Sequence, residues 1–153
     1  MKILLSIKPT FVEEIFKGDK KFEFRRTIFK RKDIKKVVVY ATKPIGKIVG
    51  EFCIEQIIEE SPQLLWEKTH KNAGISKHFF DEYFEGKDTG FALQIKSPRL
   101  YETPIDPTIN DEKFVAPQSF RYLDDEINEL TLKFSDWWIM NGVFLDLRYF
   151  CLY

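Results

Sequence analysis

Two cysteines among 153 residues, Cys53 and Cys151, are too few and too far apart for a disulfide framework or a thiolate metal site. The two histidines, His70 and His78, have no cysteine or repeated carboxylate nearby, so no zinc-ligand spacing is present. Cys53 lacks a base at a recognisable spacing and sits in a stretch that reads as a buried strand, which argues against a cysteine nucleophile. Apolar runs are short: the longest, around Trp137 to Leu145, is interrupted by Asn141 and Gly142 and followed by Asp146 and Arg148, too polar to span a bilayer. A basic, apolar, small-residue leader is missing, and together with the scarcity of cysteine this points to a reducing cytoplasm. No internal repeat or low-complexity segment argues for a solenoid. Net charge is also missing, with 24 Lys and Arg against 24 Asp and Glu, so the whole molecule exerts no long-range pull on polyanions.

What the chain has is aromatic bulk and segregated charge. Aromatic residues make up 16%, 15 of them Phe, which supplies ample core for one domain of this length. Lys17 to Lys36 contains ten basic and three acidic residues, whereas Tyr101 to Leu130 contains eight acidic and two basic ones. A local basic surface is therefore expected despite the balanced total.

Met1 to Ile7 reads as a short buried strand, and Lys8-Pro9-Thr10 then opens a helix, since proline is accepted in the first turn. Phe11 with Ile15, and Val12 with Phe16, give that helix one apolar stripe, while Gly18 supplies a left-handed stop. Val37 to Ala41 is β-branched and reads as a central strand, Thr42 to Gly46 as a turn, and Lys47 to Ile58 as a long strand in which Gly50 marks a bulge or close backbone approach. Ser61-Pro62 caps a helix through Lys68, and Ser76 caps another that stops before Gly86. Gly90 to Lys96 alternates as a strand; prolines at 98, 104, 107 and 117 predict loops and short strands after it, with a last strand over Ser119 to Leu123.

The most informative stretch is Gly18-Asp19-Lys20-Lys21-Phe22-Glu23-Phe24-Arg25-Arg26. In an extended chain Phe22 and Phe24 point one way and Lys21, Glu23 and Arg25 the other, so a packed face holds a charged face rigid. A guanidinium, a carboxylate and ammonium groups presented in this way suit a phosphate or a base edge. The plainer reading is a Glu23 to Arg25 or cross-strand ion pair on a solvated sheet, worth at most about 1 kcal/mol.

With these residues in place, the chain resembles an ASCH domain, a branch of the PUA-like superfamily of small β-barrels with flanking helices. The family signature G-x-K-x-x-E-x-R after a short helix is matched by Gly18, Lys20, Glu23 and Arg25. Ser6-Ile7-Lys8-Pro9, Tyr40-Ala41-Thr42-Lys43-Pro44, Gly46-Lys47-Ile48-Val49-Gly50-Glu51 and Pro117-Gln118-Ser119-Phe120 resemble a subgroup of predicted transcriptional regulators. The resemblance covers Met1 to about Leu123. It implies an α+β domain, a PUA-like small β-barrel of about five or six strands with short flanking helices, over residues 1–123, and leaves 124–153 as a C-terminal extension. It also implies RNA or other nucleic-acid binding beside the signature, with no cofactor. Some members are reported to be enzymes, either nucleases or amidohydrolases on acylated cytidine. In that amidohydrolase branch a lysine, a threonine and a distant glutamate act; Lys20 matches the lysine, but Glu23 replaces the threonine and its hydroxyl.

The leading expectation is thus binding of RNA or a nucleotide-containing ligand, with Lys20, Arg25 and Lys43 on phosphate or base edges and Glu23 orienting them. The alternative is a metal-independent hydrolase, an RNase or an amidohydrolase, in which Lys20 stabilises developing charge and Glu23 or Lys20 moves a proton. A carboxylate among so many cations is a weak base near neutrality, which favours orientation as the role of Glu23. The cleft is expected to be bordered by Gly18 to Arg25, by the Thr42 to Gly46 loop and by Pro117 to Arg121, where Gln118 and Ser119 either read a base edge or hold the turn. Arg26, Lys30, Arg31, Lys32, Lys35 and Lys36 would track a phosphate backbone or form a solvated face, and Phe29 would stack on a base or join the core. Trp66 reads as packing between helix and barrel. The aromatic tail, with Trp137, Trp138, Phe144, Tyr149, Phe150 and Tyr153, would cover a barrel edge, make a homodimer contact, or be a divergent end.

Overall fold

β1 (Lys2–Ile7) and β3 (Lys36–Ala41) carry the most continuous apolar runs, and they pair in parallel, Lys2 opposite Lys36 through Ile7 opposite Ala41. Such runs are what a strand buried on both faces requires. α1 (Pro9–Lys17) makes the crossover between them, together with β2 (Phe22–Arg25). β4 (Lys47–Glu60), β5 (Gly90–Ile105) and β6 (Phe120–Leu123) complete a mixed six-stranded sheet of order β2-β5-β4-β3-β1-β6, and α2 (Pro62–Thr69) and α3 (Lys77–Phe84) lie between β4 and β5 in the chain. The computed structural model describes residues Met1 to Leu123, which form one compact unit; Cys151 and the aromatic tail, with its expected edge or dimer contact, lie outside the described residues.

Alternate faces of the central strands bury separate cores. Ile3, Leu5, Val37 and Val39 meet Val12 and Ile15 of α1, whereas Leu4, Val38 and Tyr40 meet Ile48 and Leu123. A third cluster joins Phe24 and Ala92 to Leu65 of α2 and to Phe80 and Phe84 of α3, with Trp66 packed against it in the role expected of it. Phe80 is fully buried, and burial of a phenylalanine contributes roughly 2–3 kcal/mol.

The expected barrel is not closed. β2 and β6 are the two ends of the strand order, and what spans the gap is side chains: Arg25 Nη2 of β2 donates to the Ser6 carbonyl of β1 at 3.3 Å, and the Phe29 ring meets Phe120 of β6 edge-on at 5.9 Å. Register shifts along β4 and β5 supply the bending that brings these ends near each other. Gly50 lies at such a shift, and a Cβ there would come within 2.5 Å of the Arg99 carbonyl and 2.6 Å of the Phe16 ring, the close approach expected of it.

Other expectations need correction. β5 runs through Pro98 and Pro104 to Ile105, because β2 pairs only with its first half and the prolines fall where, among the described residues, one edge has no neighbouring strand to bond. Cys53 is half-exposed rather than buried.

One charged cluster escaped the sequence reading. Glu51 of β4, 7% exposed, accepts hydrogen bonds from Lys36 Nζ at 3.0 Å, Arg99 Nη2 at 2.9 Å and Tyr101 Oη at 3.0 Å. Burial pushes its carboxyl upward, but the three donors outweigh burial and hold it at about 2. A folded-state value below the unfolded one stabilises the fold above about pH 5, and the stabilisation is lost as pH falls toward 2. On the order of 2 kcal/mol should disappear across this window, allowing for screening at the exposed Arg99. Urea unfolding of Glu51→Gln should show a flatter acid limb than the parent; identical limbs would show that Glu51 has no part in acid stability.

Candidate functional site

The site is built at the turn between α1 and β2. Gly18 takes the left-handed conformation, φ 91°, and the backbone N–H groups of Asp19 and Lys20 both donate to the Glu14 carbonyl at 3.0 Å. These bonds close the helix end and reverse the chain at once, so Lys20 is fixed beneath the helix it has just left. Lys21 N–H then donates to the Asn72 carbonyl at 2.9 Å, tying the turn to the segment before α3.

Beside this turn is a cavity of about 260 Å³. Ser6, Ile7 and Lys8 at the end of β1 form one side, and Ile75, Phe79 and Tyr83 of the α3 region form another. Phe11 of α1 and Lys20, Glu23, Phe24 and Arg25 complete the lining. The walls are mainly apolar, and three charged heads meet inside them.

Lys20, expected on a phosphate or base edge, is 2% exposed and is a desolvated amine rather than a surface charge. Its Nζ donates to the Ala73 carbonyl at 2.9 Å and lies 4.7 Å from the Phe24 ring centre and 5.5 Å from that of Phe11. Burial lowers its pKa, the nearby Glu23 carboxylate opposes this, and Arg25 reinforces it. Glu23, 6% exposed, has Oε2 at 3.9 Å from Lys20 Nζ and Oε1 at 3.5 Å from Arg25 Nε. That second approach is close enough for an ion pair but is not a hydrogen bond, and among the described residues Arg25 Nε is a buried donor with no partner. The Tyr83 hydroxyl donates to the Phe24 carbonyl at 3.3 Å, and burial raises its pKa.

The expected charged face of β2 is thus only partly observed. Lys21 is exposed and outside the cavity, while Phe24 lines it together with Glu23 and Arg25. β2 is an end strand of the described sheet, and successive side chains of it line one hollow.

Lys43, Gln118 and Ser119 are not among the lining residues; Lys43 and Gln118 are exposed and Ser119 half-buried. Their segments are nevertheless tied to the strand end that forms the cavity side. Thr42 N–H donates to the Ile7 carbonyl at 3.0 Å, Ser6 Oγ donates to the Pro117 carbonyl at 2.7 Å, and Thr27 Oγ1 lies 3.5 Å from Ser119 Oγ. Arg121 donates to the Val115 carbonyl at 2.6 Å, holding its own turn. Phe29 is core, whereas Arg26, Lys30, Arg31, Lys32 and Lys35 are exposed around it. His70 Nδ1 contacts the backbone carbonyls of Trp66 and Glu67.

Ser6, Phe11, Phe79, Tyr83 and Gly74 escaped the sequence reading as site residues. The spacing Ile75, Phe79, Tyr83 was available as a four-residue stripe, but a stripe reads as core until its neighbours are known. Gly74 has φ 64°, and a Cβ there would lie 2.5 Å from Lys20 Cβ. Gly74→Ala should therefore destabilise the fold by about 2 kcal/mol in urea unfolding, combining left-handed strain with displacement of Lys20. An unchanged midpoint would show that the Lys20 stem is not held there.

Comparison with known proteins gives this site a family. The crystal structure of ASCH from Zymomonas mobilis superposes with a TM-score of 0.79 at 26% identity, covering 86% of this chain and 94% of that one. A Zymomonas mobilis protein called ASCH domain-containing ribonuclease is 29% identical over 129 residues, 80% of this chain and 84% of that protein. Large ribosomal subunit protein uL22 of Ureaplasma parvum is 35% identical over 123 residues, 79% of this chain, and this match spans only 39% of that longer protein. The sequence model of the ASCH domain matches residues 5–102, which takes in the end of β1, all of α1 and the whole Gly18 to Arg25 element. The chain belongs to the ASCH domain family.

Proposed function

We propose that the chain binds RNA, with one base entering the cavity and the flanking sugar–phosphate passing over the end of β1. The observation that carries this reading is the Glu23 carboxylate, which belongs to the lining of a hollow and accepts no hydrogen bond among the described residues, with the Arg25 guanidinium beside it. A base edge offers both a donor and an acceptor, and the aromatic walls suit its flat faces. Lys20 contributes positive potential, and Lys43, Gln118 and Ser119 contact the chain outside the hollow. The exposed basic residues from Arg26 to Lys35 extend the phosphate path.

RNA cleavage is a second reading, favoured by the relative named a ribonuclease, which this chain matches over most of its length. Lys20 would then stabilise charge developing on the phosphate, with Glu23 or Lys20 moving a proton. The same residues would act on an acylated nucleoside if the substrate were an amide.

Titration of single-stranded RNA at several salt concentrations tests binding. Affinity should fall steeply as salt rises, and Arg25→Ala should weaken it about tenfold. A flat salt response with an unaffected Arg25 variant would refute both site and ligand. Incubation with end-labelled RNA and acylated nucleosides in chelator separates the two readings: intact substrates support binding alone, and breakdown that Lys20→Met abolishes establishes turnover.

A further inference from the structure

We propose that the cavity selects guanine. This rests on the RNA reading above and adds which base is taken. Glu23 is 6% exposed, yet among the described residues neither of its oxygens receives a hydrogen bond; the nearest cations, Arg25 Nε and Lys20 Nζ, stand at 3.5 and 3.9 Å. Arg25 spends Nη2 on the Ser6 carbonyl, and its Nε, shut off from the hollow, has no partner among the described residues. Lys20 already donates to the Ala73 carbonyl. The hollow therefore lacks two donors, side by side, for the carboxylate.

Each base can be set against that demand. Guanine presents N1–H and N2–H₂ adjacent to one another, with O6 beside N1 as an acceptor. Adenine and cytosine place a ring-nitrogen acceptor next to their amino group, and that lone pair would face the carboxylate. Uracil has a single N–H between two carbonyls, which puts acceptors on both sides of the anion. Leaving buried polar groups without partners is what makes such mismatches costly. The volume, about 260 Å³, lies just under the range of roughly 300–1,000 Å³ found for drug-sized ligands, so it suits a base better than a whole nucleotide. The rings of Phe11, Phe24 and Phe79 supply apolar walls for its faces.

The test measures binding of the full chain to uridine decamers carrying one central guanosine, inosine, adenosine or cytidine, and to the all-uridine decamer. Guanosine should bind about tenfold tighter than each of the others, inosine included, because inosine lacks the N2 amine. Glu23→Gln, which puts a donor where an acceptor stood, should close the gap between guanosine and inosine. Equal affinity for all five RNAs, equal affinity for guanosine and inosine, or a preference for another base overturns the guanine assignment while leaving RNA binding intact. Absence of binding to all five overturns the RNA reading itself. The series on the unaltered protein decides the matter even if the Glu23 variant fails to fold.

Discussion

Three charged side chains, Lys20, Glu23 and Arg25, are withdrawn from water around one hollow, and their mutual contacts are too loose to offset what that withdrawal costs. The effective penalty for burying an ion in a protein is several kcal/mol, and it is recovered only through close, hydrogen-bonded geometry. Here the approaches between opposite charges are 3.5 and 3.9 Å. The aromatic cores on either side supply the surplus, and Gly74 leaves the room that the Lys20 stem occupies. Uncompensated buried charge in a concave site is the pattern that binding and catalytic centres produce.

Glu51 gives the contrast within the same sheet. It is as buried as Glu23, 7% against 6%, but it takes three hydrogen bonds and belongs to the scaffold. Two carboxylates of equal burial thus have opposite accounts, one closed within the protein and one open toward a hollow. The open one adjoins the end of β1, to which the Thr42 turn and the Pro117 segment are also bonded. Ser6 and Ile7 are therefore the point at which β1, the Thr42 turn and the Pro117 segment are joined.

Much of this frame was legible in the residues. The proline at the start of α1, the left-handed Gly18 and the serine caps at Ser61 and Ser76 are local devices, and each acts as its chemistry dictates. The β-branched run before Thr42 likewise became a central strand. The burial of Lys20 was not legible, because it depends on Gly74 and Ala73, more than fifty positions away in the chain. The strand period correctly opposed Phe24 to Glu23 and Arg25 but could not reveal that β2 would be an end strand with both faces turned toward one cavity. Glu51 was missed for a related reason: its partners Lys36, Arg99 and Tyr101 come from two other strands, and pairing register is a property of the fold. Closure of the barrel was over-read, since the strand count is compatible with a curled sheet whose gap is bridged by Arg25 and Phe29.

The side-chain Nε–H resonance of Arg25 reports most directly on the central claim. In ¹⁵N–¹H spectra recorded during titration with single-stranded RNA, that signal should shift as a base fills the hollow that Arg25 lines. A resonance that stays unchanged while RNA binds elsewhere would contradict the assignment of this hollow as the ligand site.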